Sequence, residues 1–186
     1  MLHLQVILAS TRSARQGDKI ATWFMPLAER QGEFSVELID LAQVNLPLFD
    51  ESDSPRAQNY QHDHTKAWSA LVSRADAYVI VTPEYNFSTP PSLSNALDYL
   101  SKEWQYKPVG FVSYGGVSGG TRAVQMTKLI VTTLRMMPIP EAVNIPMFTQ
   151  FIDGDVFTGT PQHERSASAM LTELARWATA LKTMRA

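Results

Sequence analysis

Leu2-His-Leu-Gln-Val-Ile-Leu-Ala9 runs straight into Ser10-Thr-Arg-Ser-Ala-Arg-Gln-Gly17. The first segment is a short apolar run, the pattern of a strand buried on both faces. The second is polar throughout. After it, Ile20, Trp23, Phe24, Leu27 and Ala28 fall at i, i+3, i+4, i+7 and i+8, which is one face of a helix. Pro26 removes a backbone donor there and is predicted to bend that helix. A doubly buried strand, a loop and an amphipathic helix make the first half of a βαβ unit, and such units build parallel sheets.

The same alternation continues outward. Phe34 to Leu41 is a strand with Ser35, Glu37 and Asp40 mixed in, the composition of a sheet edge. Residues 42–61 bear prolines and acids and read as a loop, leading to a helix near Thr65–Arg74. Ala77 to Val81 is a second fully apolar strand. Pro90 and Pro91 suit a helix start, and Leu93, Leu97, Leu100 and Trp104 are its expected buried stripe. Val109 to Tyr114 is a third apolar strand, followed by a glycine-rich loop and a helix carrying Met126, Leu129, Ile130 and Leu134. Ile139 to Val143 is a short strand that Pro140 confines to an edge. An aromatic loop follows, and Met170, Leu171, Leu174, Trp177, Ala178 and Leu181 mark the closing helix.

The pattern βαβαβαβαβα predicts a single α/β domain spanning residues 1–186, with helices on both faces of a five-stranded parallel sheet. Two polar or proline-bearing edges around three apolar strands fit the order 2-1-3-4-5. In that topology the ligand crevice lies beyond the carboxyl ends of the strands, at the switch point between strands 1 and 3. The loops after Ala9, Val81 and Tyr114 are therefore the ones to read for function.

Composition narrows the chemistry. The 186 residues are 45% hydrophobic and 18% charged, with a formal net charge of −2, so there is no global pull toward nucleic acid or anionic membrane. Cysteine is absent, which excludes disulfides, thiolate nucleophiles, cysteine–zinc sites and iron–sulfur clusters. No basic region precedes the first apolar run, so it does not read as a signal peptide. No apolar stretch approaches the roughly 20 residues needed to cross a bilayer. The expected location is the cytoplasm.

The first loop, Ser10 to Gly17, joins a helix N-terminus to hydroxyl and amide side chains and two guanidiniums. That is an anion cradle without the GxxxxGK[ST] or GxGxxG spacing of nucleotide folds, and a monophosphate suits it better than a pyrophosphate. The second loop, Thr82-Pro-Glu-Tyr-Asn-Phe-Ser-Thr-Pro90, is stiffened by prolines. It offers Tyr85 and Phe87 as flat apolar surfaces and Asn86 as a polar edge, a match for a planar heterocycle. The third, Ser113-Tyr-Gly-Gly-Val-Ser-Gly-Gly-Thr-Arg122, lets backbone approach a ligand closely.

Together these loops resemble the NADPH-dependent FMN reductase family of the flavodoxin-like superfamily. Thr82-Pro-Glu-Tyr-Asn-Phe-Ser-Thr-Pro-Pro-Ser-Leu-Ser-Asn-Ala-Leu-Asp-Tyr99 looks like the family's PEYN…KNALD segment. Ser10-x-Arg12 looks like its phosphate signature, and Gly115-Gly-x-Ser-Gly-Gly-x-Arg-Ala123 like its second glycine loop. The resemblance implies a three-layer flavodoxin-like fold, FMN as cofactor, NADPH or NADH as co-substrate, and a homodimer or homotetramer. It implies that Ser10, Thr11, Arg12, Arg15 and Gln16 hold the FMN phosphate. Pro83, Glu84, Tyr85 and Asn86 would contact the ring, and Ser113, Tyr114, Gly115, Gly116 and Ser118 would line its other side. Ala9 stands where the family usually has glycine, Phe87 where a smaller or polar residue is common, and Ser94 where lysine is common.

Flavin carries the hard chemistry in such proteins, so no side-chain nucleophile is required. One-electron flavodoxins cover a flavin face with an aromatic from this region. Two glycines after Tyr114 leave that face open, which favours hydride transfer from NAD(P)H to a quinone, azo compound, free flavin or metal oxyanion. Gly116-Val-Ser-Gly-Gly120 also matches the GxSxG elbow of serine hydrolases, with Asp153 or Asp155 and then His163 following in order. A flavin-binding regulatory module with little turnover is a further alternative. His62-Asp63-His64 lacks an identifiable third ligand and reads as a solvated or capping group. Asp153-Gly154-Asp155 reads as a turn.

Overall fold

The computed structural model describes residues 1–185. Its main sheet is parallel, in the order β2-β1-β3-β4-β5, as expected from the sequence. The strands are β1 (Leu2–Leu8), β2 (Phe34–Asp40), β3 (Ala77–Pro83), β4 (Pro108–Tyr114) and β5 (Met137–Ile145). Both β3 and β4 are buried along their whole length, because each strand packs helices on both sides. Val6 and Leu8 point to α1 (Gly17–Arg30) and α6 (Pro161–Lys182), while Ile7 and Ala9 point to α3 (Asp63–Ser73), α4 (Pro91–Asp98) and α5 (Thr121–Thr133). Each such Val, Leu or Ile contributes about 1.5–3 kcal/mol when fully buried, so the sheet axis is where most of the stability resides.

Several elements differ from the expectation. The helix α1 continues through Pro26, which lies exposed on its solvent side. The segment 42–61 is not a plain loop. The end of β2 leads into a single turn, α2 (Leu41–Val44), capped by the Asp40 carboxylate, and a 3-10 turn covers Pro55–Ala57. Helix α4 stops at Asp98, and Trp104 stays buried from a separate 3-10 turn by donating its indole N–H to Leu97 O at 3.2 Å. Strand β5 is longer than Ile139–Val143, because a register shift opposite Val109 and Phe111 absorbs Pro140 at the edge. The aromatic stretch after β5 contains a two-stranded hairpin, β6 (Ile152–Asp153) and β7 (Val156–Phe157), with Gly154 and Asp155 in its turn.

Helix α5 corrects the expected stripe. Ala123, Val124, Thr127 and Val131 face the sheet, whereas Met126 and Leu129 are exposed, at 45% and 66%. Thr127 sits in the core without penalty because its hydroxyl donates to Ala123 O at 2.8 Å. The narrow side chains at 123, 124 and 127 keep the helix close to the sheet.

Candidate active site

Strands β1, β3 and β4 are neighbours, so the three loops at their carboxyl ends converge. Between them lies a cavity of about 220 Å³. Ser10, Arg12, Arg15 and Gln16 line it from the first loop, Pro83, Glu84 and Tyr85 from the second, and Tyr114, Gly115 and Gly116 from the third. A larger hollow of about 580 Å³ opens around Lys107, at the opposite ends of the strands. Burial pushes the Lys107 ammonium down to about 8, yet its three donors already serve Val72 O, Ser73 O and the Tyr78 hydroxyl. That lysine closes the end of α3 and has no donor left for chemistry.

The first loop makes a donor-rich bowl. Among the described residues, the amides of Thr11, Arg12, Ser13 and Ala14 have no protein acceptor, and they precede the N-terminus of the 14-residue α1. Ser10 Oγ and the Tyr85 hydroxyl are 2.8 Å apart. The Tyr114 hydroxyl lies against the start of α1, where a Cβ on Gly17 would come within 2.5 Å of it. Burial raises the Tyr114 pKa and keeps that hydroxyl protonated. The two arginines part company here. Arg15 donates from both Nη atoms to the Asp40 carboxylate, at 2.7 and 2.5 Å, and also to Ser10 O. Arg12 is exposed and has no acceptor among the described residues. One guanidinium, not two, is free for a ligand.

The second and third loops are joined by a carboxylate. Glu84 Oε2 accepts from Ser118 Oγ at 2.9 Å and from the Arg122 amide at 3.1 Å, and Oε1 accepts from Arg122 Nε at 2.6 Å. Burial pushes the Glu84 carboxyl up, and these donors more than reverse that, leaving it below its ordinary value. Its carboxylate accepts at the first turn of α5, so both oxygens are already engaged there. Tyr85 and Ser88 exchange backbone hydrogen bonds at 3.0 and 2.9 Å around Asn86 and Phe87, both with positive φ, at 52° and 66°. That is a type I′ turn, which favours Asn and Gly. Asn86 fits, and Phe87 costs roughly 1–2 kcal/mol there. Its ring, 62% exposed, lies under the Arg122 guanidinium at 3.8 Å. A Cβ on Gly116 would meet nothing within 4 Å, so this side of the cavity is open.

The sequence profile of the NADPH-dependent FMN reductase family matches residues 2–150. The chain belongs to that family. It is 40% identical over 144 residues to an NAD(P)H-dependent FMN reductase of Schizosaccharomyces pombe, covering 76% of this chain and 72% of the relative. It is 30% identical over 146 residues to a quinone reductase of Pseudomonas putida, covering 74% of each. Among solved structures, the flavoenzyme NAD(P)H:(acceptor) oxidoreductase of Paracoccus denitrificans superposes with a TM-score of 0.75 at 20% identity, covering 97% of this chain and 98% of that one. At that identity the likeness concerns the fold. Family membership makes the chain an oxidoreductase with FMN as cofactor and NAD(P)H as co-substrate.

The residues present fit that cofactor. Unpartnered loop amides, a free guanidinium and a cluster of hydroxyls suit a phosphate monoester, and the open glycine side leaves room for a ring. Four residues expected at the site lie off the cavity. Thr11 lines a separate hollow with Asn45 and Asn95, and Asn86 is on the exposed turn. Ser113 is buried, with its hydroxyl proton shared between Gly119 O and Asn144 Oδ1, while Ser118 serves Glu84. Phe148 was not expected. It lines the cavity, stacks edge-on to Tyr114 at 5.1 Å, and is tied by its amide to Gly115 O. Its place follows the end of β5 in a stretch whose only sequence signal is its aromatic content.

The geometry does not assemble a hydrolase triad. His163 Nδ1 accepts from the Thr160 amide in a capping box at the start of α6, and its ring packs on Phe151. Asp155 pairs with Lys19. His62 and His64 stack on each other and reach the Asp50 carboxylate. Among the described residues no group of three or more His, Asp or Glu side chains is arranged to hold a metal.

Proposed function

We propose that this chain, as one domain, passes a hydride from NAD(P)H through bound FMN to a small-molecule acceptor of the quinone class. Azo compounds, free flavin and metal oxyanions are further two-electron acceptors of the same kind. Ser10, Arg12, Gln16 and the loop amides hold the phosphate, with the Tyr85 and Tyr114 hydroxyls at its floor. The backbone of Pro83 to Tyr85 lies along one edge of the ring, and Gly115 and Gly116 lie beside its reacting face. Bound FMN supplies the two-electron chemistry. The protein's part is to orient the dinucleotide, and the observation that carries this is the open space beyond Gly116. A quinone is favoured by the Pseudomonas relative.

The working form is a homodimer or homotetramer in the cytoplasm. Met126 and Leu129, three residues apart on one face of α5, offer an uncovered apolar strip for a second copy. NAD(P)H supply favours the cell interior, and no helix among the described residues is long and apolar enough to cross a membrane.

The test is to purify the protein, identify its chromophore, and follow NAD(P)H oxidation with a quinone. Yellow protein that releases FMN and turns over NAD(P)H is expected. A protein that takes up no FMN, or that holds FMN and oxidises neither dinucleotide, would defeat the proposal.

A further inference from the structure

Arg122 is held by Glu84, a residue that lines the cavity, and its contacts fix it without exhausting it. Two of its five N–H donors face Glu84 Oε1, through Nε and Nη2. The other three have no protein acceptor among the described residues, and the side chain is 50% exposed. Nor is Glu84 neutralised by this side chain alone. Ser118 and the Arg122 amide share its other oxygen at the positive end of α5, so Oε2 takes none of the three remaining guanidinium donors. Phe87 backs one guanidinium face and pairs with no other ring among the described residues. A large side chain held exposed on a left-handed backbone points to a use beyond packing.

From the juxtaposition of Arg122, Glu84 and Phe87 beside the cavity, we propose that Arg122 is the subsite for the 2′-phosphate of NADPH and sets the preference over NADH. This rests on the hydride-transfer reading above and names which dinucleotide it uses. A planar fork pinned on one edge and backed on one face is pre-oriented for a phosphate monoester. NADPH and NADH differ by that group alone. A dinucleotide is elongated and can continue from the flavin beside Gly116 toward Arg122, whereas a small acceptor has no need to. The bare face of Arg122 is also suited to stacking a purine.

The FMN-loaded protein and its Arg122→Gln and Phe87→Gly variants should be titrated with adenosine 2′,5′-bisphosphate and adenosine 5′-monophosphate by calorimetry. The ratio of kcat/KM for NADPH over NADH should be measured alongside, and sulfonated and neutral quinones compared as acceptors. In Arg122→Gln both the affinity ratio and the kcat/KM ratio should fall roughly tenfold or more. Phe87→Gly relieves the strained turn, so it should melt no lower than the parent. It should still lose part of the selectivity, which separates the effect from misfolding. Unchanged ratios in Arg122→Gln would overturn the assignment. A loss confined to the sulfonated quinone would overturn it too, by giving the subsite to the acceptor. If the parent oxidises neither dinucleotide, the hydride-transfer reading falls, and the calorimetric ratio still decides the role of Arg122.

Discussion

Arg12 and Arg15 sit three positions apart in one loop and carry the same charge, yet their partners give them different work. Arg15 is spent on Asp40, whose carboxylate is only 7% exposed. Removing it leaves a buried charge with one remaining amide donor, from Ala42. Arg15→Ala should therefore lower stability by about 1.5–3 kcal/mol, read as a shift of the urea midpoint. Arg12→Ala should leave that midpoint in place and weaken FMN binding roughly ten- to a hundredfold. The reverse assignment of losses would mean that the phosphate is held elsewhere. The sequence could not tell the two arginines apart, because Asp40 belongs to β2 and meets the loop only once the sheet forms. The same blindness applies to Ser113, whose place in the strand was legible but whose hydroxyl partners, Gly119 O and Asn144 Oδ1, were not.

Helix α5 carries Arg122 in its first turn, a cation where the macrodipole favours an anion, and Glu84 from the neighbouring loop reverses that cost. The Glu84 carboxyl is held below its ordinary value. Its stabilisation is therefore complete above the ordinary carboxylate range and is lost as pH falls through the depressed folded-state value. Glu84→Gln should melt roughly 5 °C below the parent at neutral pH. The two curves should converge under acid conditions. A gap that persists unchanged into acid would show that charge is not what Glu84 contributes. The strand order and the location of the crevice were legible because apolar runs and proline-bearing edges report burial directly. The buried stripe of α5 was not, since its largest side chains face solvent and a self-satisfied threonine faces the core. The end of α4 was hidden for a related reason. Trp104 keeps the helical spacing of the stripe although the chain has already turned.

At the scale of the molecule, assembly needs uncovered apolar surface, and the aromatic side chains of the segment after β5 do not supply it. Phe148, Phe151, Ile152 and Phe157 lie back on the core beside Trp23. Met126 and Leu129 on α5 are uncovered instead. Sedimentation at micromolar concentration should show a dimer or larger species, and Leu129→Lys should shift it toward the monomer. A parent that sediments as a monomer would refute the assembly.

In the proposed reaction the dinucleotide delivers its hydride over the glycine loop of this cavity. Hydride transfer requires the reacting atoms within about 3.5 Å, and Gly116 has open space where a side chain would project. Gly116→Trp should therefore fold, and it should fill the position the nicotinamide must occupy. Stopped-flow flavin reduction by NAD(P)H, run beside an FMN titration, separates access from cofactor binding. A severe loss in the reduction rate with a much smaller change in FMN affinity is expected. Reduction at the parent rate in folded, FMN-loaded Gly116→Trp would contradict it.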